Sequence, residues 1–259
     1  MKGAKAMNLT GFSALLRREI KRFMSMPTQT ILPPLVTAVL YIIIFGAFIG
    51  GEVGFVDGVP YMVFFIPGLI MLDVILSSYS NAAFTLFFSR FLNIIGDVLI
   101  SPLSYIEMVA ALILGSVARG MLVGFIILFG SLFFVQISIH SIPLLLFFMF
   151  LAAMIFSLIG LLVGLFAKEF EHLEILSTFL ITPLAFLGGV FNSVSMLPES
   201  LRFVAYYNPF FYIINGFRYA MIGITEADLL ISIAILVIMS VSLLAVTVKL
   251  FSKGYKLRT

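Results

Sequence analysis

Asp73 and Arg119 are charged residues placed where a charge is least comfortable. Each sits inside a long apolar run, FIPGLIMLDVILSSYS around Asp73 and ALILGSVARGMLVGFIILFG around Arg119. A lone charge deep in a bilayer is costly, so such residues pair with one another, line a cavity, or move protons and ions. Asp73 lies 15 residues before Phe88, and Arg119 lies 15 residues after Ser104. At 1.5 Å rise per residue, both would stand about 22 Å above the inner ends of two consecutive antiparallel helices. An Asp73–Arg119 ion pair is therefore expected, either locking the helices together or lining a cavity that relays a conformational change. Glu107, near an inner helix end, is expected to reach water by snorkelling.

No second constellation supports catalysis. The chain has no G-x-x-x-x-G-K-[ST] sequence to cradle nucleotide phosphates, no H-E-x-x-H for zinc, and no G-x-S-x-G elbow. His140 and His172 fall on opposite sides of the membrane in the topology below and cannot share a metal. With no cysteine, disulfides, thiolate metal sites and Fe–S clusters are excluded. Neither a metal nor a cofactor is expected in this chain, and it reads as a non-enzyme. Its pI near 9.2 does not point to nucleic acid; in a membrane chain, excess Lys and Arg set orientation and contact anionic headgroups.

The elements that hold these residues follow from composition. Apolar residues make up 62% of the chain, charged ones 10%, and the mean hydropathy is +1.22. A bilayer crossing takes roughly 20 helical residues. Six spans are expected, near Ile31–Gly50, Tyr61–Phe88, Tyr105–Val135, Ile142–Phe166, Ile175–Phe191 and Leu229–Leu250. Such continuous apolarity suits helices rather than barrel strands. The first run is too long for a signal-peptide core, so no cleavable signal is expected. Lys2, Lys5, Arg17, Arg18, Lys21 and Arg22 precede the first span, Arg90 and Lys168 fall in inner loops, and Lys249, Lys253, Lys256 and Arg258 close the chain. Glu52, Asp57, Glu199 and Glu226 lie in the outer segments. This bias puts both termini in the cytoplasm, which an even number of spans allows. Residues 1–28 then form a cytoplasmic N-terminus, 29–252 the transmembrane domain, and 253–259 a cytoplasmic tail.

Three segments depart from plain spans and loops. In Phe12–Met24, Phe12, Leu15, Leu16, Ile20, Phe23 and Met24 share one helical face and four basic residues the other, which predicts an interfacial helix. The inner loop 89–104 is too apolar for a solvated loop and too broken by Gly96, Asp97 and Pro102 for a span. It reads as a short amphipathic helix offering Phe91, Leu92, Ile94 and Ile95 to the membrane or to a cytoplasmic partner. The outer segment between the fifth and sixth spans holds Pro183, Gly188, Gly189, Pro198 and Pro209 yet stays rich in Phe, Tyr and Leu. Such a sequence predicts re-entrant helices over 186–218, shielded by protein or a cavity.

Nearly end to end, the chain resembles the ABC-2 family of bacterial export permeases. The motifs are Ile181 and Leu184, Leu187-Gly188-Gly189-Val190, Leu197-Pro198, Pro209-Phe210-Phe211-Tyr212 and Arg218. FIPGLIM (65–71), DVLISPLS (97–104), VARG (117–120) and TPLAFLGGVF (182–191) look closest to the YadH-type subgroup, which is related to the nodulation-factor and daunorubicin exporter permeases. The resemblance implies an all-α permease of an ATP-driven exporter in the bacterial inner membrane, working as a homodimer on two ABC ATPase subunits that bind the ATP and Mg. It implies that 89–104, with Arg90, Phe91, Leu92, Ile94, Ile95 and Asp97, is the coupling segment that docks on the ATPase. It implies that the segment after the fifth span closes the exit, with Pro183, Gly188 and Gly189 letting the helix bend, Phe186 or Leu187 as apolar plug, and Pro209 and Arg218 in the same gate. The dimer axis is expected near the second and fifth spans. Asp73 departs from the family pattern, where a neutral residue is expected. A lining of Phe, Leu, Met and Tyr suits an amphipathic drug, a lipid or a lipo-oligosaccharide. The competing readings are a proton-coupled secondary transporter using Asp73 and Glu107, and a non-transport membrane scaffold.

The cysteine-free chain makes the orientation directly testable. Cysteines placed at Asp57 and Glu199 should react with an impermeant thiol reagent outside intact cells, and one at Lys256 should not. Outside labelling at Lys256 would contradict cytoplasmic termini.

Overall fold

Hydrocarbon offers no hydrogen bonds, so an apolar run in a bilayer must satisfy its backbone within itself, and helices result. The computed structural model of the chain describes residues 8–256. Lys2, Lys5 and Arg258, used in the orientation argument, lie outside the described residues. Among those residues, five helical segments are long and apolar enough to cross a membrane.

Helix α1 (Leu9–Met24) comes first. The first crossing segment comprises α2 (Pro27–Tyr41), an eight-residue π-helical stretch (Ile42–Ile49) and α3 (Gly50–Val53). It starts earlier than Ile31 because Pro27 suits a helix's first turn, where its missing N–H costs nothing. A hairpin of β1 (Phe55–Val56) and β2 (Val59–Pro60) follows, turning at Asp57 and Gly58 with φ of 49° and 84°. Asp-Gly is the usual pair for that left-handed turn. Helices α4 (Tyr61–Phe91), α5 (Ile95–Ile100), α6 (Tyr105–Ser131) and α7 (Ile142–Phe166) come next.

The expected fifth span differs from the others. Helix α8 (Glu171–Leu176), a π-helical stretch (Ser177–Ile181) and α9 (Thr182–Leu187) run on as one helix. It stops at Leu187 rather than Phe191, because Gly189 takes φ 95° and turns the chain away. At 1.5 Å per residue the run is about 25 Å long, short of the roughly 30 Å hydrocarbon core. Helices α10 (Glu199–Tyr207), α11 (Pro209–Ile222) and α12 (Leu229–Ser252) complete the fold.

Helix α4 is the hub. It is 78% buried over its most apolar window, against 12% for Pro27–Val53 and 17% for α12, whose apolar sides are left to lipid. Helices α6, α7 and α11 all pack on α4. Small residues bring backbones close where no aqueous driving force exists. A Cβ on Gly160 of α7 would collide with the Tyr79 carbonyl, and one on Gly164 would lie 3.2 Å from the Leu86 Cβ.

Helix α1 also departs from expectation. Its buried residues are Leu15, Glu19 and Phe23, and Leu15 clusters with Val98, Leu103, Met108 and Ala111. The face expected to enter lipid packs largely on α6 instead, while Met24 stays 53% exposed.

Gly160→Val should overpack the α4–α7 contact at a cost of about 1–3 kcal/mol, lowering the Tm in detergent by several degrees. Gly51→Val, where nothing lies within 4 Å of the added carbon, should shift it far less. Equal Tm values for both variants would contradict the close α4–α7 packing.

Candidate functional site

The charges expected to pair do not meet. Between α4 and α6, Asn81 Nδ2 donates to Ser116 Oγ at 2.9 Å, Ser78 lies against Gly120, and Val74 against Gly124. In this register Arg119 is level with Tyr79, six residues from Asp73, which is about 9 Å along the axis. The depth count began at Phe88 and Ser104, whereas α4 continues to Phe91 and α6 begins at Tyr105, which accounts for most of the offset. Arg119 Nη1 donates to Asn81 Oδ1 at 3.3 Å. Asp73 is 8% exposed, and its Oδ2 has no hydrogen-bond partner among the described residues.

Arg119 belongs to a knot that sequence reasoning missed. Arg22 Nη2 also donates to Asn81 Oδ1 at 3.3 Å, and it reaches Thr85 Oγ1. Arg22 Nη1 lies 2.9 Å from Glu19 Oε2, and Arg18 Nη2 lies 2.8 Å from Glu19 Oε1. Glu19 is 2% exposed and fits because residue 115 is glycine; a Cβ there would sit 2.6 Å from the Glu19 Cβ. The knot ties α1 to both α4 and α6. The usable signal was a lone carboxylate on a basic helix, spaced i,i+3 from Arg22.

Glu107 does not snorkel. It is buried as the third residue of a capping box: Oε2 accepts from the Ser104 N–H at 2.6 Å, and Ser104 Oγ accepts from the Glu107 N–H at 3.3 Å. Oε1 also accepts from the Asn8 N–H at 2.6 Å, which fastens the start of α1 to the start of α6.

The segment 89–104 folds as a corner. Helix α4 ends at Phe91, Asn93 turns at φ 58°, and α5 runs Ile95–Ile100. Phe91 is 70% exposed, Leu92 58%, Ile94 42% and Ile100 76%. Asp97 is exposed too. Ile95, expected on the same outward patch, packs into the core instead. Arg90 does not face outward either. Its Nη1 donates to the carbonyls of Gly164 at 2.8 Å and Ala167 at 3.3 Å, capping the C-terminal end of α7, where unpaired carbonyls favour a cation.

The outer segment is built around Arg218, which is 2% exposed. Its Nε donates to the Phe64 carbonyl at 3.3 Å, Nη2 donates to the Gly189 carbonyl, and Nη1 stands 3.8 Å from Glu226 Oε1. Its guanidinium also lies 3.9 Å from the Phe64 ring centre. Glu226 Oε2 in turn accepts from Ser193 Oγ at 2.9 Å and the Ser195 N–H at 3.2 Å. The turn beyond α9 is thus stitched to α4 and α11. Gly68 of α4 lets the Val190 backbone approach, and Gly188 does the same for Phe210, whose Cβ would lie 2.7 Å from an added carbon. Asn208 Nδ2 donates to the Leu184 carbonyl, while its Oδ1 accepts from the Phe210 N–H at 3.0 Å; Pro209 opens α11.

Aromatic rings gather at this end. Phe191 stacks on Phe45 at 4.4 Å, packs edge-on to Phe186 at 4.6 Å, and lies 5.6 Å from Phe65. Tyr61 Oη donates to the Phe191 carbonyl at 2.8 Å. Phe186 therefore joins the cluster, Leu187 lies outside the ring stack, and Phe191, absent from the expected gate, is its centre. Pro183 is exposed on α9.

Comparison with known proteins supplies a further finding. The family model for the ABC-2 type transporter matches residues 10–222. The inner membrane transport permease YadH of Escherichia coli K12 is 40% identical over 242 residues, covering 93% of this chain and 94% of that protein. Nodulation protein J of Rhizobium leguminosarum bv. viciae is 24% identical over 219 residues, covering 81% and 82% of the two chains. The protein of that name from Rhizobium meliloti is 25% identical over 224 residues.

A double-mutant cycle tests the observed pairing. Arg119→Gln should couple with Asn81→Leu by about 0.5–3 kcal/mol of stability and should add independently to Asp73→Asn. Coupling to Asp73 alone would restore the ion pair and overturn this geometry.

Proposed function

The chain belongs to the ABC-2 type transporter family, and on that premise we propose that it is the membrane-spanning subunit of an ATP-driven exporter. Two copies form the pathway, and two separate ABC ATPase subunits bind ATP and Mg beneath it. The chain sits in the bacterial inner membrane with six spans, counting the Glu171–Leu187 run as the fifth, and with both termini cytoplasmic. Helices α10 and α11 are the re-entrant pair, and residues 1–28 and 253–259 flank the transmembrane domain. The cargo is an amphipathic or lipid-like molecule leaving the cytoplasm or the inner leaflet.

The observation that carries this reading is the α4–α5 corner. Four large apolar side chains, Phe91, Leu92, Ile94 and Ile100, are each exposed in the segment that follows the most buried helix among the described spans. Arg90 holds that corner on the end of α7. A push delivered there reaches α4 and α7 as one body, because glycines 160 and 164 leave no slack between them. An ATPase surface that covered the four side chains would grip the helix on which the rest of the bundle is assembled.

At the other end of α4, Gly68, Phe64 and Phe65 contact the Val190 backbone, Arg218 and Phe191. Displacement of α4 is thereby coupled to the aromatic closure and the Arg218 knot. The copies meet along Glu171–Leu187, where Ile175 is 50%, Phe179 75% and Leu180 48% exposed, beside α4. A self-matching surface of this kind gives the twofold dimer that a paired motor requires.

Burying each corner side chain is worth about 1.5–3 kcal/mol, so Phe91→Asp or Leu92→Asp should weaken ATPase binding at least tenfold while the permease still inserts. Ile95→Asp, at a buried position, should instead impair folding. The assay is co-purification with the partner ABC ATPase. Undiminished recovery with both Phe91→Asp and Leu92→Asp would refute docking at the corner.

A further inference from the structure

Among the described residues, Asp73 has no structural task. The Glu19 and Glu107 carboxylates are used in the α1 knot and the capping box, and Glu226 holds Arg218. Asp73 alone is buried in a membrane span with a carboxylate oxygen that no described residue satisfies. A buried ionised group of that kind is disfavoured unless a counter-charge arrives. The nearest arginine along the bundle, Arg119, is engaged by Asn81 about 9 Å away along the axis.

The surroundings of Asp73 say where that counter-charge can come from. Helix α4 is closed on the sides that meet α6 and α7, where Val74, Ser78, Tyr79, Ala82 and Ala83 are covered. Between Asp73 and Phe88, Leu76, Ser80 and Phe84 are half-buried and Phe88 is exposed, while Asp73 and Ser77 are buried on the same side. These positions recur every three or four residues and therefore form one stripe. Phe84 and Phe88 lie 5.2 Å and 6.0 Å from the Phe170 ring, just before α8. The stripe therefore starts beside the short fifth helix at the cytoplasmic end, where Phe88 is 41% exposed, and leads along α4 to a carboxylate at membrane depth. It borders the Glu171–Leu187 run proposed above as the meeting face of two copies.

We infer that the Asp73 carboxylate receives the cationic head group of the transported amphiphile, an amine or quaternary ammonium, which travels along the Ser77–Ser80–Phe84–Phe88 stripe of α4. The inference rests on the proposed exporter role and narrows its substrate class. Each part of the stripe has a use in this chemistry. Aromatic faces attract a cation and tolerate an apolar tail. Serine hydroxyls offer oxygen acceptors to a head group that has left water. The single carboxylate neutralises the head group where the bilayer is least able to solvate it. The chemistry selects against anionic lipids and phosphorylated sugars, which would meet an unshielded negative charge midway.

The test uses the full-length permease in nanodiscs, alone and with its ATPase. The probe is a dansyl amphiphile with a trimethylammonium head, compared with its uncharged tert-butyl isostere of the same shape. Saturable fluorescence binding of the ammonium probe to the native chain is expected, with affinity at least tenfold weaker in Asp73→Asn and largely restored in Asp73→Glu. The uncharged isostere should bind the native and Asp73→Asn chains alike. The inference is overturned by ammonium binding that Asp73→Asn leaves intact, by no saturable binding to the native chain, or by equal losses for both probes, which would mark a packing role. Binding is read on the permease alone, so failure of the chain to recruit an ATPase would count against the exporter reading and not against this site.

Discussion

A polar group in hydrocarbon must find its partner within the protein, and the architecture of this chain is a response to that requirement. Two knots of charge absorb most of the problem. At the end of the bundle that carries α1, Glu19 sits between Arg18 and Arg22, and Asn81 draws Arg22 and Arg119 onto one amide oxygen. At the opposite end, Arg218 is enclosed by two carbonyls, an aromatic ring and Glu226. Both knots touch α4, and between them α4 is held by close glycine contacts. A helix so fastened at both ends cannot shift at one end without disturbing the other. This is the mechanical property that the proposed exporter role requires.

The same requirement explains the irregular backbone. The π-helical stretches at Ile42–Ile49 and Ser177–Ile181 lie in the first and fifth helices, and such departures inside helices often accompany function. The fifth helix borders the Asp73–Phe88 stripe of α4 and the first meets α4 at Met62 and Phe65, whereas α4, α6 and α7 are α-helical throughout. The hub is stiff, then, and the irregularity is confined to elements at its margin. The turn at Gly189 and the Asn208 cap place non-helical backbone near the aromatic cluster, where Arg218 and the Leu184 contact satisfy the carbonyls that a broken helix exposes.

Much of this was legible in the sequence because membranes make hydropathy informative. The long apolar runs and the corner at 89–104 follow from composition and from Gly, Pro and charge breaks. The importance of Arg218 came through a family pattern rather than through physics, whereas Gly188 and Gly189 were legible as helix breaks in apolar sequence. What stayed hidden was pairing. The Asp73–Arg119 expectation failed on register, and register depends on where helices end. The Ser104-x-x-Glu107 capping box fixes the start of α6 and could have been read directly, but the extension of α4 to Phe91 carries no comparable mark. Glu19 resembled any carboxylate on a charged helical face. Its burial depends on the absence of a side chain at Gly115, nearly a hundred residues away. Ile95 was expected outward with its neighbours, whereas the turn at Asn93 rotates it back into the core; Arg90 came only with the family's docking segment and instead caps α7.

The central claim is that motion at the α4–α5 corner is imposed by an ATPase and carried by α4. The absence of native cysteine permits a spin label at Ile100 of each copy in an assembled dimer, so the separation of the two corners can be measured by pulsed dipolar spectroscopy. The account predicts one separation without nucleotide and a clearly different one when ATP is trapped, with the change requiring the ATPase partner. A single separation that ATP leaves unaltered in the complete complex would contradict it.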